Sequence, residues 1–163
     1  MLDNSQWLTL FFAAIMNTFF YDRSHSLGQL TSGVIRSLSS CLNQRFKTAG
    51  INLTAEQWAA LVLLWNKDGR TQKEIARNLI LEKSSVSRLL SGLERRGFIT
   101  RVQESKDSRL KQVFLTDKGR RVRDESVRIA RALLDDAQAG ITEAELALCR
   151  DVLLRVYRNL APR

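Results

Sequence analysis

Proline occurs once, at Pro162, histidine once, at His25, and cysteine twice, at Cys41 and Cys149, in a chain of 163 residues. With no proline before that position, no helix interior is interrupted and a mostly helical chain is allowed. Neither cysteine belongs to a C-x-x-C pair, and no His/Cys pair stands at metal-ligand spacing, so no metal site is expected. Both cysteines fall on helical patterns and read as buried, reduced thiols of a cytoplasmic protein rather than a disulfide. Serine–histidine or cysteine–histidine catalysis would depend on His25, and no nucleophile motif lies near it. The glycine patterns of phosphate loops and dinucleotide folds are missing too. Neither an enzyme nor a cofactor is therefore expected. Acidic residues are also short, 17 against 26 Lys and Arg, which leaves a formal charge of +9. An excess of that size favours a polyanionic partner, either nucleic acid or an acidic lipid surface.

What is present is ordinary for a folded domain: 44% apolar and 26% charged residues. The length suits a single domain with a core of its own. Residues 1–25 stand apart as an apolar extension. The 18 residues from Asn4 to Tyr21 carry no charge, and they hold Trp7, Phe11, Phe12, Phe19, Phe20 and Tyr21. A signal peptide would need a basic start and a small-residue cleavage site, and a membrane span would not be broken by Asn17 and Thr18. The segment reads either as a docking helix or as residues preceding a natural start at Met16. A membrane partner is not expected.

From Leu27 the text is periodic. Leu27, Leu30, Val34, Leu38, Cys41 and Leu42 recur at steps of three and four, which predicts a helix with one buried face, stopped at Gly50. Thr54 and Gln57 have the capping-box form and open a second helix with Trp58, Leu61, Val62 and Trp65 on one face. Thr71 begins a short helix with Ile75, Ala76 and Leu79 inside. After a break at Ile80–Glu82, a helix from about Lys83 to Arg96 carries Val86, Leu89, Leu90 and Leu93 on one side and ends at Gly97. Phe98–Gln103 and Lys111–Leu115 read as strands around a seven-residue charged loop, Glu104–Leu110. Thr116–Gly119 opens a long helix to about Gln138, striped by Val122, Ser126, Ile129 and Leu133, and Thr142–Glu145 opens the last. The expected fold class is mainly α with a small β-hairpin wing. Residues 51–116 form the winged helix-turn-helix, flanked by helices in 26–50 and 117–163 within one domain, 26–163.

A helix, a tight break, a second helix and a hairpin suit duplex DNA, whose major groove admits one α-helix. The second helix turns Lys83, Ser84, Ser85, Ser87, Arg88 and Ser91 away from its apolar side. Small hydroxyls permit close approach to bases or phosphates, Arg88 suits a bidentate contact with guanine, and the open helix start suits a phosphate. At the hairpin tip Lys106 and Arg109 can reach the minor groove, with Asp107 orienting Arg109 by a charge-assisted hydrogen bond. Thr71, Gln72 and Lys73 at the start of the supporting helix, and Arg95 and Arg96 at the end of the second, are candidates for backbone phosphates. The latter two read equally as a solvated helix end. Arg120, Arg121, Arg123, Arg128 and Arg131 read as a solvated helix with local acidic partners. Residues 71–119 carry a net +5, whereas residues 1–25 carry −1. Trp58 and Trp65 read as core, or as the wall of an effector pocket beside the reading head.

The run Asp107-Ser108-Arg109, then Val113, then Leu115-Thr116-Asp117-Lys118-Gly119 resembles the wing motif of the multiple-antibiotic-resistance regulator (MarR) family. Val86-Ser87-Arg88-Leu89-Leu90 and Leu93-Glu94-Arg95-Arg96-Gly97-Phe98-Ile99 resemble its recognition helix and the exit into the wing. The resemblance implies a homodimeric transcriptional regulator, read here as a repressor, on a pseudo-palindromic operator in double-stranded DNA. It also implies a small-molecule or stress signal for release, and a dimer interface on the first and last helices, including Leu27, Leu30, Val34, Cys149, Val152, Leu153, Val156 and Leu160. Peroxide sensing by an early cysteine of the first helix does not carry over, because Cys41 lies late in that helix, in Ser-Ser-Cys-Leu-Asn. Two other classes compete. A winged helix that only binds proteins would expose apolar residues where this chain has Lys, Ser and Arg. A membrane-associated regulator would be anchored by residues 7–21.

Overall fold

The computed structural model describes residues 26–104 and 107–160, with the side chains of 104 and 107–110 outside that description. The expectations for residues 1–25, Lys106 and Pro162 lie outside the described residues. The chain divides into two units, residues 1–40 and 41–163. In the first, helix α1 (Leu27–Thr48) begins with Leu27, Leu30, Val34 and Ile35 all exposed. In the second, the end of α1 buries Leu42 and Phe46, and Gly50 stops it with φ +72°. Cys41 and Cys149 are exposed in the described chain, not buried. Helical period located both cysteines on apolar stripes, but the described residues do not cover those stripes at the two cysteine positions.

Helix α2 (Ala55–Asn66) starts as expected, with Thr54 Oγ1 accepting from Gln57 N–H and Gln57 Oε1 accepting from Thr54 N–H, each at 3.2 Å. Its innermost residues are Gln57, Ala60, Leu61 and Leu64. The inner face is rotated from the expected one, and Trp58, Val62 and Trp65 are half-buried. The indoles are large and carry a polar N–H, so they sit at the edge of the core, where that group finds a partner.

Strand β1 (Arg70–Thr71) is a third strand that the sequence did not announce, because two residues are too few to show alternation. It pairs antiparallel with β3 (Asp107–Leu115), Arg70 opposite Val113, and β3 pairs with β2 (Ile99–Glu104), giving the order β1-β3-β2. Glu104 faces Asp107 after a register shift, so the strands take in Glu104 and residues 107–110 of the expected seven-residue loop. Charged residues on an exposed hairpin satisfy the ladder as well as apolar ones do, so their polarity did not mark a loop.

Between β1 and β2 lie α3 (Gln72–Leu79) and α4 (Lys83–Arg95). Ile75, Val86, Leu90, Leu93, Ile99 and Val113 are fully or almost fully buried and join these elements to Leu61 and Leu64. Each such side chain contributes roughly 1.5–3 kcal/mol through removal from water. The expected long helix is two: α5 (Asp117–Arg121) and α6 (Arg123–Ala137), broken at Val122. Ser126 Oγ donates to the Arg123 carbonyl at 2.9 Å, a back-bond of the kind that bends helices. The predicted stripe survives the break, with Ser126, Ile129 and Leu133 buried. Helix α7 (Glu143–Leu160) buries none of its residues, and Val152, Leu153, Tyr157 and Leu160 are exposed. No helix among the described residues is long and apolar enough to cross a membrane.

Candidate nucleic-acid interface

The helix-turn-helix is set by two local devices. At the start of α3, Thr71 Oγ1 accepts from Glu74 N–H at 3.2 Å, while the Glu74 carboxylate accepts from Thr71 N–H at 2.7 Å and from its hydroxyl at 2.8 Å. These bonds from Thr71, backbone first, hold the Glu74 carboxyl below the usual carboxylate range, with Lys67 and Arg70 adding smaller effects in the same direction. Between the helices, Ile80 adopts φ 54°, the left-handed region, as the C-cap of α3. Its N–H and that of Leu81 close back onto the Ala76 carbonyl. A β-branched residue is strained there, and glycine is the usual occupant. The sequence marked a break at this place, but not that a bulky, exposed isoleucine occupies the strained position.

Thr71→Ala removes the hydroxyl from this cap and is expected to cost about 1 kcal/mol of stability at neutral pH. Because the Glu74 carboxyl is depressed in the folded state, its own part of the box is present above the ordinary carboxylate pKa. That part is lost as pH falls through the folded value. The gap between parent and variant, measured by urea unfolding, should therefore narrow in acid. A gap that widens there would contradict the assignment.

Helix α4 presents the predicted reading residues on its outer side. Lys83, Ser84, Arg88 and Ser91 are exposed, Ser85 and Ser87 half-buried, and Val86, Leu90 and Leu93 face inward. Neither Lys83 nor Arg88 forms an ion pair among the described residues. Glu82, the N-cap residue, makes no side-chain capping bond, so the first backbone N–H groups of α4 point outward unsatisfied by it. Gln72 Nε2 donates to the Lys83 carbonyl at 3.3 Å, tying the start of α3 to the start of α4.

Two predicted contacts are occupied inside the chain, and a third, Ser91, is engaged only as an acceptor. The Thr71 hydroxyl is committed to its cap, which withdraws it as a phosphate contact. The Arg96 guanidinium turns back to Gln57 Oε1 and the Asn52 carbonyl, so it braces the end of α4 against the start of α2 rather than facing outward. Ser91 Oγ accepts from Arg101 Nη2 at 2.7 Å. Lys73 and Arg95 remain exposed. Asp107 and Arg109 lie on β3, with side chains outside the described set, and Lys106 is outside it entirely.

Arg101 was not singled out by sequence reasoning. Its backbone N–H donates to Glu94 Oε1 at 3.1 Å, and its Nε lies 3.0 Å from Glu94 Oε2, off the line of a good hydrogen bond. The only sequence signal was an arginine on the inward-facing register of a strand that follows a helix ending near Glu94.

The base of the wing is tied to the following helices. Asp68 accepts from Leu115 N–H at 3.0 Å and from Gly69 N–H at 3.1 Å, and pairs with Arg120 at 2.8 Å. Arg120 thus has a partner outside its own helix, as does Arg45, which pairs with Asp136. Trp65 Nε1 donates to the Gly119 carbonyl at 2.9 Å and Trp58 Nε1 to Ser126 Oγ at 3.1 Å. These indoles join α2 to α5 and α6, a packing role. Neither lines the groove of about 530 Å³ formed by Cys41, Arg45, Ala49, Arg128, Ile129 and Ala132, among others.

Residues 53–111 match the model of the MarR family. The HTH-type transcriptional regulator YkoM of Bacillus subtilis (strain 168) is 32% identical over 116 residues, 68% of this chain and 74% of that protein. The solved structure of the transcriptional regulator SlyA is similar with a TM-score of 0.77 and 27% identity, over 83% of this chain and 94% of that one. CouR from Rhodococcus jostii RHA1, solved bound to p-coumaroyl-CoA, has a TM-score of 0.73 and 25% identity over 88% of this chain and 99% of its own.

Proposed function

The chain belongs to the MarR family and is a DNA-binding transcriptional regulator with a winged-helix fold, not an enzyme, and from that premise we propose that it is a sequence-specific homodimeric repressor released by a small-molecule or stress signal. The carrying observation is α4: its inner side is buried in the core while Lys83, Ser84 and Arg88 stand exposed without ion pairs among the described residues. In this reading α4 lies in the major groove. Arg88 reads a guanine, the Ser84, Ser85, Ser87 and Ser91 hydroxyls meet bases or phosphates, and Lys83 meets a phosphate near the open helix start. Arg109, oriented by Asp107, enters the adjoining minor groove with Lys106 at its edge. Gln72, Lys73 and Arg95 contact the backbone on either side.

Two heads need a dimer. Leu27, Leu30 and Val34 of α1, and Cys149, Val152, Leu153, Val156 and Leu160 of α7, supply apolar surface for it, most of it exposed in the single chain. CouR binds an acyl-CoA ligand. The groove between the end of α1 and α6 would suit a molecule with an apolar body and an anionic group, since Ile129 and Ala132 lie beside Arg45 and Arg128. Such a ligand releases DNA only if it binds one dimer geometry better than the other.

Selection of random duplex DNA on the purified protein, followed by sequencing, tests this reading. The expected result is a two-fold symmetric site with half-sites about one helical turn apart. Recovery of unselected sequence, or of single half-sites only, would overturn it.

A further inference from the structure

We propose that Lys111, seated beside the Arg101–Glu94 pair, forms a phosphate-binding site in the wedge between α4 and the hairpin. The proposal rests on the placement of α4 in the major groove and the hairpin tip in the minor groove. In B-DNA a single sugar-phosphate strand separates two such adjoining grooves. A protein that occupies both must straddle that strand, which then passes between the recognition helix and the wing.

The wedge is visible in the chain. After α4 ends at Arg95, the backbone turns at Gly97, φ +74°, and returns as β2. Phe98 N–H bonds to Leu93 O, Arg101 meets Glu94 and then Ser91, so β2 runs back along α4 toward its N-terminal half. Arg101 and Gln103 alternate with outward residues and lie on the same sheet face as buried Ile99. Lys111 is the cross-strand partner of Gln103, so it lies on that face too, further from the core and nearer the tip. Together Glu94, Arg101, Gln103 and Lys111 line a recess of about 270 Å³.

Charge within the recess decides what it takes. Glu94 would repel a phosphate, but its carboxylate is met by both the backbone N–H and the guanidinium of Arg101. Lys111 is exposed and forms no ion pair among the described residues, so among them the recess keeps one positive charge more than its negative charge. Ser91 adds direction. Its oxygen already accepts from Arg101 Nη2, so its own hydrogen is left to donate, which suits an acceptor such as a phosphate oxygen. Arg101 is thus a positioning residue that neutralises Glu94 and orients Ser91, and Lys111 is the group that touches the anion.

The experiment compares the full chain with Lys111→Gln and Lys111→Arg in binding a mixed-sequence duplex and the selected site across a salt series. Loss of one phosphate contact in each half-site, two per dimer, should make the salt slope of Lys111→Gln shallower by about two units. Its deficit relative to the parent should then shrink roughly tenfold between about 50 and about 200 mM salt. The deficit should be the same on both duplexes, and Lys111→Arg should keep the parent's slope. An unchanged slope in Lys111→Gln overturns the proposal while leaving the DNA reading intact. A deficit confined to the selected site makes Lys111 a base contact and overturns it also. A parent that binds neither duplex overturns the DNA reading itself. Lys111 is exposed and supports no packing, so the variant keeps the fold on which the comparison depends.

Discussion

Arg88→Ala weakens binding to the selected duplex by about 1–3 kcal/mol per half-site, roughly 5–150-fold for each, with the loss concentrated at one base position in each half-site. The expectation follows from what surrounds the side chain. Arg88 follows Val86 and precedes Leu90 on α4, both fully buried, and its own position is exposed with no ion pair among the described residues. Its guanidinium is therefore free to present two parallel donors to a guanine edge, which a lysine at the same place could not do. Binding to duplexes carrying each base at each position of the site checks it. A uniform loss over all sequences, with a shallower salt slope, would make Arg88 a phosphate contact. An unchanged affinity would remove α4 from the groove.

Gly119→Ala is the second large effect, and here two principles disagree in sign. Gly119 lies in helix α5, where glycine costs about 0.5–1 kcal/mol relative to alanine, so propensity alone predicts a gain. Tertiary packing predicts the reverse. A Cβ at this position would stand 2.1 Å from the Phe98 carbonyl oxygen and 3.2 Å from a Leu115 methyl group. The first atom is backbone, and it already accepts from Thr116 N–H at 3.1 Å. Nor can α5 back away freely, because Gly119 N–H is held by Thr116 Oγ1 at 3.1 Å and the Gly119 carbonyl by Trp65 Nε1 at 2.9 Å. Overpacking of this kind costs about 1–3 kcal/mol or more, and it should win. Urea unfolding should show a lower midpoint with an unchanged slope. A raised midpoint would mean that the contact between α5 and the α4–β2 turn is looser than described. The same contact joins the exit of the recognition helix to the helices that follow, so the variant should also bind DNA less tightly.

How far the sequence carried this result can be seen element by element. The order of helices and strands, the capping at Thr54 and Thr71, the stop at Gly97 and the outward series Lys83, Ser84, Arg88 on α4 are all local. They follow from spacings of three and four, from two-residue alternation, and from residues that act on their own neighbours. Resemblance to the MarR family was likewise legible in short runs around Arg88 and from Asp107 to Gly119, and the family match over residues 53–111 agrees with it. The identity of the regulator class was therefore present in the linear text.

Tertiary structure alone decided which polar groups are free. Thr71 and Arg96 looked like DNA contacts because their type and position allowed it. The Thr71 hydroxyl is instead engaged by Glu74 and the Arg96 guanidinium by Gln57 and Asn52, while the Ser91 oxygen accepts from Arg101 and keeps its own hydrogen to donate. Except for the Thr71 cap, those partners lie 10 to 44 residues away in the chain, beyond the reach of any helical or strand period. The same holds for β1, for the break at Val122, for the exposure of Cys41 and Cys149, and for the wedge that brings Lys111 beside Glu94 and Arg101. Periodicity tells a residue which way to face along its own element. Only the packing of one element against another says what it meets there.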